Sequence, residues 1–253
     1  MINFFKIIVF IPLYNLLVWL TAILPGADLG LAIILLTILV KIVIFPLYKT
    51  SVMTQIKMKA VEGELKAIKE QNKDNLPEQS RLTMELYKKE KINPFSSFLV
   101  LLIQIPIIIS LFYVFRQSFT IDINLVYSFI TIPNHINTIF LGFVKLTVSH
   151  NYALAFLTGV TQYLQVTLSL PKREKNKSSD KKEVSFGQDL AKSMDFQMRY
   201  AMPVMTAVIA FTLPAAISLY WVTSNVFSAI YEVVVIKKIK DQDAVLRAPK
   251  ASN

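Results

Sequence analysis

Long apolar runs separated by polar, basic segments dominate the pattern of this sequence. A helix needs about 20 mostly apolar residues to cross the hydrocarbon core of a bilayer, which is about 30 Å thick. Runs of that kind cover residues 29–48, 94–116 and 152–170. Each of these runs predicts one membrane-spanning helix, and the protein is therefore predicted to be an all-α membrane protein.

A fourth apolar run, residues 201–236, is too long for one span with modest tilt. Pro214 interrupts it, and proline breaks or kinks a helix. We therefore predict a short fourth helix over residues 201–213 and a fifth over 214–236. Residues 237–253 then form a tail.

The first 28 residues are also apolar but allow three interpretations. Lys6 precedes an apolar run, as in a signal sequence, and the run is long enough to span. No small-x-small cleavage site is evident, however, and Pro12 divides the segment. Trp19 and Tyr14 suit a membrane interface. We favour a helix that lies along the outer membrane surface over residues 1–28.

Basic residues predict the orientation of these helices. Residues 49–93 and 171–200 carry 10 and 8 Lys/Arg, and the tail carries 5, out of 27 in the chain. Because basic loops stay in the cytoplasm, these three segments are predicted to be cytoplasmic and residues 117–151 extracytoplasmic. Within 49–93, apolar residues at helical spacing around a turn predict a helical hairpin, with Glu62–Lys66 and Glu85–Lys89 as i,i+4 ion pairs.

Composition narrows the function classes. The chain is 54% hydrophobic and 17% charged, against about 45–50% and 25% in soluble domains. It has no cysteine, so disulfides, thiolate metal sites and a cysteine nucleophile are excluded. No Gly-x-Ser-x-Gly, His-Glu-x-x-His or phosphate loop is present. We therefore expect no enzyme activity, no metal and no cofactor.

Lys41 is the candidate functional residue, because it lies deep in the first predicted span. A lysine at a helix centre costs roughly 2.5–3.5 kcal/mol on insertion scales. One interpretation is that its ammonium snorkels to the headgroups. The other is that an unpaired Lys41 faces a hydrated cavity open to the cytoplasm, and Glu232 is the nearest acidic candidate to pair with it.

Other polar residues in the predicted spans fit a shared groove. Each of them alone could simply hydrogen-bond between helices, but their presence in several helices favours a common polar surface. The predicted groove residues are Lys41, Thr37, Gln104, Gln162, Gln165, Trp221 and Asn225.

Several motifs occur in the order seen in one known family. Leu29 to Lys41 followed by Pro46-Leu47 resembles the first core helix of YidC/Oxa/Alb-type membrane protein insertases. Leu86 to Phe95 resembles the end of their cytoplasmic hairpin, and Gln104-Ile105-Pro106-Ile107 their second core helix. Met202-Pro203-Val204-Met205, Leu213-Pro214-Ala215-Ala216 and Leu219 to Asn225 resemble the last two.

The resemblance implies five core helices around a hydrophilic groove open to the cytoplasm and lipid, as in short bacterial members without a large periplasmic domain. It implies that Lys41 attracts acidic residues of the client, at a position where bacterial relatives usually carry arginine, and that Thr37 and Trp221 line the groove. It implies nascent membrane protein clients, the Sec translocon, a ribosome or targeting factor, and anionic lipids as partners, without DNA, in the bacterial plasma membrane. The alternative function is a small-molecule transporter or channel, although no inverted repeat is visible.

Overall fold

The computed structural model describes residues 6–93, 105–115, 121–169 and 196–236. Most of these residues are helical, which confirms the predicted helical fold. Gln104, most of the predicted loop at 171–200 and the tail at 237–253 lie outside the described residues. The chain divides into two compact units, one comprising Met1–Lys41 and Leu111–Asn253 and the other Ile42–Ser110.

Eight α-helices and one two-stranded hairpin occur in the described ranges. The helices are α1 (Ile11–Ile23), α2 (Leu29–Ala60), α3 (Glu62–Gln71), α4 (Leu76–Lys89), α5 (Ile105–Phe115), α6 (Tyr152–Ser169), α7 (Met202–Thr212) and α8 (Ala215–Tyr231). The strands are β1 (Ile139–Phe140) and β2 (Val144–Lys145). Short π-helical segments precede α1 and α7, and another, Glu232–Ile236, extends α8.

Two helical segments are long and apolar enough to cross a membrane, by length and composition, among the residues described. They are Lys6–Ile23 and Leu29–Ser51, and Ile105–Phe115 is a shorter apolar helix. The second belongs to α2, which continues through Pro46 to Ala60 without a break. The helix therefore continues past residue 48, where the predicted span ends.

A tight turn joins α1 to α2. Gly26 adopts a positive φ of 66°, which glycine tolerates without steric cost. Asp28 then caps α2, since its carboxylate accepts a hydrogen bond from the backbone N–H of Leu31 at 3.0 Å. The backbone of Asn137, in the predicted extracytoplasmic loop, bonds to both Ala27 and Leu29. This loop is thereby attached to the start of α2.

The same loop carries the β-hairpin, which departs from the predicted all-α class. Ile139 pairs with Lys145, and Phe140 with Val144. The ring of Phe140 lies directly against Gly30 of α2, where an added Cβ would clash with the ring. Two residues per strand add little stability alone, so packing of this kind holds the hairpin in place.

Helices α6, α7 and α8 pack together within one unit. Gly159 of α6 faces Ala207 of α7, and a Cβ at Gly159 would lie 3.0 Å from the Ala207 methyl group. Between α7 and α8 the chain breaks at Pro214, as predicted. The loop before α6 compensates for the backbone bonds lost there, because Ala215 N–H donates to Val148 O and His150 N–H to Phe211 O.

The second unit contains the helices α3 and α4. Val61, Leu86 and Ile92 form its buried core. The predicted Glu62–Lys66 ion pair is present at 3.4 Å. The other prediction is wrong, because Glu85 pairs with Arg81 at 2.5 Å rather than with Lys89. Arg81 also grips Glu78 through two hydrogen bonds, which lowers the pKa of the Glu78 carboxyl. Glu85 pairs with Arg81 rather than with Lys89 because the planar guanidinium group of Arg81 can bind two carboxylates at once, those of Glu78 and Glu85.

Candidate functional site

One face of α8 and of the π-helical segment that extends it carries a stripe of polar residues. Trp221, Asn225, Ser228 and Glu232 follow each other at intervals of four, three and four residues, which places them on one side of a helix. Asn225, Ser228 and Glu232 are buried, and Glu232 is only 4% exposed. Buried carboxylates are rare unless they are paired, so this stripe requires polar neighbours.

Helix α6 supplies some of those neighbours. Thr161 accepts a hydrogen bond from the Asn225 amide at 3.3 Å. Nearer the end of α6, the Ser169 hydroxyl lies within hydrogen-bond distance of a Glu232 carboxylate oxygen. Gln165 in turn donates its amide N–H to the Ser169 hydroxyl at 2.9 Å. The two helices are thus joined by polar contacts at two levels.

Lys41 reaches the same stripe from α2. Its half-buried side chain donates from Nζ to the Ser228 hydroxyl at 3.2 Å. Glu232 lies one turn beyond Ser228 and interacts electrostatically with Lys41. The polar cluster defined here therefore draws on three helices, and its members are Lys41, Thr161, Gln165, Ser169, Asn225, Ser228 and Glu232.

The structure gives Lys41 a direct polar partner, which is the Ser228 hydroxyl. The sequence offered Glu232, near the end of the last predicted helix, as the nearest acidic candidate, and the structure places Glu232 one turn from the Ser228 hydroxyl that Lys41 contacts. Opposite charges in a low-dielectric setting attract strongly, yet each also loses hydration. The cluster can hold a cation within apolar helices because the Ser228 hydroxyl is its direct partner and further hydroxyl, amide and carboxylate groups lie on the neighbouring turns.

The structure distributes the other predicted groove residues differently. Thr37 is buried, and its hydroxyl donates within its own helix to Ile33 O at 2.7 Å. Gln162 and Trp221 are half-buried. Gln104 lies outside the described residues. Of the seven predicted residues, the structure brings Lys41, Gln165 and Asn225 into one cluster.

Ser228, Ser169 and Thr161 were not predicted as site residues. A usable signal existed for Ser228, which precedes Glu232 by one helical turn and follows Asn225 by another. Ser169 and Thr161 gave no comparable signal, because small hydroxyl residues are common in membrane helices and often bond to their own backbone. Their role emerges only from the packing of α6 on α8.

Comparison with known proteins identifies the family to which this chain belongs. The sequence model of the family described as 60Kd inner membrane protein matches residues 19–242. A membrane protein insertase YidC from Alcanivorax borkumensis is 31% identical over 213 residues, which cover 84% of this chain and 31% of that protein. Another from Clostridium tetani is 29% identical over 218 residues, which cover 86% of each chain.

The chain thus spans about a third of the first relative and most of the second. Among solved structures, a crystal structure of an active YidC insertase with its first transmembrane domain resolved matches with a TM-score of 0.58 at 24% identity. The match covers 89% of this chain and 46% of that one, and it shows a shared fold. The chain therefore belongs to the 60Kd inner membrane protein family, the YidC/Oxa/Alb-type family whose motifs its sequence carries.

Proposed function

We propose that this protein is a membrane protein insertase, which moves transmembrane segments of client proteins into the bilayer. Family membership and relatives named as membrane protein insertases support this function. The observation that carries it in this chain is the polar cluster around Lys41, inside helices that are otherwise apolar. Placing charged side chains within the membrane is unfavourable in free energy, and such residues usually serve a function.

The proposed topology has five spans in the bacterial plasma membrane. They correspond to residues 29–48, 94–116, 152–170, 201–213 and 214–236. The first basic loop, the third loop and the C-terminus lie in the cytoplasm, as the distribution of Lys and Arg predicts. The polar cluster then lies towards the cytoplasmic ends of these spans.

The cluster acts in this proposal as the polar wall of a hydrated groove. A groove that admits water partway into the bilayer shortens the hydrocarbon path that a polar client segment must cross. Lys41 attracts an acidic client residue into it, because charge attraction is far stronger there than in bulk water. Hydroxyl and amide groups of Ser228, Asn225 and Gln165 offer hydrogen bonds to the passing polar segment.

The client's own apolar helix supplies the driving force. Burying apolar surface away from water gains about 25 cal/mol per Å². A span of about 20 apolar residues is enough to hold a helix in the bilayer. No nucleotide is needed for such a step, because the free energy comes from partitioning. The protein lowers a barrier and leaves the final equilibrium to the lipid.

The partners follow from this role. Clients are nascent membrane proteins, and the basic cytoplasmic segments suit a ribosome, a targeting factor or anionic headgroups. The Sec translocon is a further candidate partner for larger clients. No partner here is DNA.

The test is insertion by the purified full chain in liposomes. The client is a single-span protein with an acidic N-terminal tail, and protease protection of that tail is scored. Wild type is compared with Lys41→Ala and with Lys41→Arg, which keeps the positive charge. We expect Lys41→Ala to lower protection about tenfold, since a close charge pair contributes roughly 1.5 kcal/mol or more, and Lys41→Arg to retain it.

Two outcomes would change this conclusion. Equal protection by all three proteins would keep the insertase and discard the role of the cation. No protection by wild type, beside a working control insertase in the same lipid, would contradict the proposed function and favour the transporter or channel.

A further inference from the structure

Glu232 is a buried carboxylate that the proposed insertion step does not use. It is 4% exposed and lies on the α8 stripe one turn from Ser228, the residue that Lys41 contacts. The spacing of four residues puts both side chains on the side of α8 that Lys41 reaches. The protein itself therefore supplies an anion one helical turn from the hydroxyl that contacts the cation of the proposed groove.

Ser169 holds this carboxylate from the opposite helix. Its hydroxyl lies within hydrogen-bond distance of Glu232 Oε1, and also 3.0 Å from the backbone oxygen of Gln165. A hydroxyl has one proton to donate, so it can serve the carboxylate or the carbonyl, one at a time. Ser169 therefore donates either to Glu232 or to its own helix, but not to both at once.

We propose that Glu232 is a resident counterion of Lys41 and that an acidic client residue must displace it to enter the groove. This inference rests on the proposed function and adds a determinant of client choice to it. A client segment enters the groove when its carboxylates compete with Glu232 for Lys41 and win. Clients with neutral tails do not bind Lys41 through a carboxylate, so Glu232 does not compete with them.

Competition of this kind lowers apparent affinity in a defined way. When the binding-competent state is only a fraction of the total, the apparent dissociation constant rises by the inverse of that fraction. Removing Glu232 frees Lys41 and removes this penalty for acidic clients. Neutral clients gain nothing from the change, so the ratio between the two client types is the informative quantity.

The first experiment measures that ratio in liposomes. Initial insertion rates are compared for the acidic-tail client and for a version with its tail aspartates changed to asparagine. Glu232→Gln should raise the acidic-to-neutral ratio about fivefold or more, the low end of typical coupling between sites. Glu232→Asp, which keeps the carboxylate, should stay near wild type. In a Lys41→Met background, Glu232→Gln should leave the ratio unchanged.

A variant on the protein surface controls for the general effect of removing one negative charge. Glu70→Gln deletes an exposed carboxylate of α3 and should not move the ratio. An unchanged or lower ratio in Glu232→Gln would overturn the proposal, as would the same rise in the Lys41→Met background. Ser169→Ala, which frees Glu232 from its hydroxyl partner without removing charge, should shift the ratio in the same direction by a smaller factor.

A second measurement does not depend on insertion. Thermal unfolding of the purified chain in detergent is recorded for Lys41→Met, Glu232→Gln and the double variant. If the two charges interact, the double variant loses less Tm than the two single losses added together. Additive Tm losses would overturn the proposal that Glu232 is the counterion of Lys41, even if the variants insert clients. Non-additive Tm losses in a protein that inserts no client would support the interaction between Lys41 and Glu232 and contradict only the proposed insertase function.

Discussion

At the scale of single residues, buried polar groups join segments of this chain that are far apart in sequence. Asn15 of α1 is 2% exposed and lies far in sequence from the segment that it binds. Its amide donates to Leu125 O at 2.8 Å, and its carbonyl oxygen accepts from the Tyr127 N–H at 2.7 Å. The Tyr14 hydroxyl accepts from the Asp122 N–H at 2.9 Å. These bonds hold the segment after residue 121 against α1.

Asn15→Ala should release that segment. It leaves the backbone groups of Leu125 and Tyr127 without their partner, and an unsatisfied buried group costs about 1–3 kcal/mol. We expect a lower Tm in detergent and faster protease cleavage between residues 121 and 137. Asn134→Ala, the same substitution at an exposed position, is the control. If both variants cleave at the wild-type rate, the Asn15 contacts do not hold the loop.

At the scale of elements, the close approach of α6 and α7 depends on small residues. Water cannot drive two helices together in lipid, so packing and hydrogen bonds must do so. Gly159 lets the α7 backbone and the Ala207 methyl group come near, and Thr158 adds a hydrogen bond to Ser218 O at 3.4 Å on the side of α8. The position of α6, and with it Ser169 and Thr161, follows from this packing.

Gly159→Val should push α6 and α7 apart. Overpacking of a close contact costs typically about 1–3 kcal/mol, which would appear as a lower Tm in detergent. Ala207→Gly in the same chain should restore part of the loss, because it removes the methyl group that the new side chain meets. Gly63→Val is the matched control, since the space around Gly63 is open. Equal Tm values for the two valine variants would contradict close packing at Gly159.

At the scale of the whole molecule, the proposed orientation rests on where basic residues lie. The segments 49–93 and 171–200 hold 18 of the 27 Lys and Arg between them. Residues 117–151 hold one, Lys145. A membrane potential and anionic inner leaflet both favour keeping basic loops inside.

Single cysteines can test this orientation, because the chain has none of its own. Phe129→Cys lies at an 80% exposed loop position and Lys66→Cys at an exposed position of α3. In spheroplasts, a membrane-impermeant maleimide should label Phe129→Cys at once and Lys66→Cys only after permeabilisation. The reverse pattern would invert the topology and place the polar cluster near the outer face.

The sequence predicts elements better than it predicts contacts. Pro214 marks the break between α7 and α8 because its effect on the backbone is local. Likewise Lys41 stands out because a charge in an apolar run is costly wherever the helix packs. By contrast, the hydrogen bond from Lys41 to Ser228 and the docking of Asn15 on Leu125 join residues more than 100 positions apart. Hydrophobic periodicity carries no information about such partners, and the two-residue strands at Ile139 and Val144 are too short to leave an alternating pattern.

The short length of α7 has a consequence for the lipid. Its 11 α-helical residues, Met202–Thr212, rise about 16 Å, roughly half of the hydrocarbon thickness, and the π-helical segment Gln197–Ala201 directly before them adds to this length. In the proposed topology, a span this short is met by local thinning of the bilayer or by tilting of its neighbours. Thinning beside the polar cluster would reduce the hydrophobic barrier at the place where a client enters. Bilayer thickness then becomes a control on this protein, and phospholipids with shorter acyl chains should favour its activity over those with longer ones.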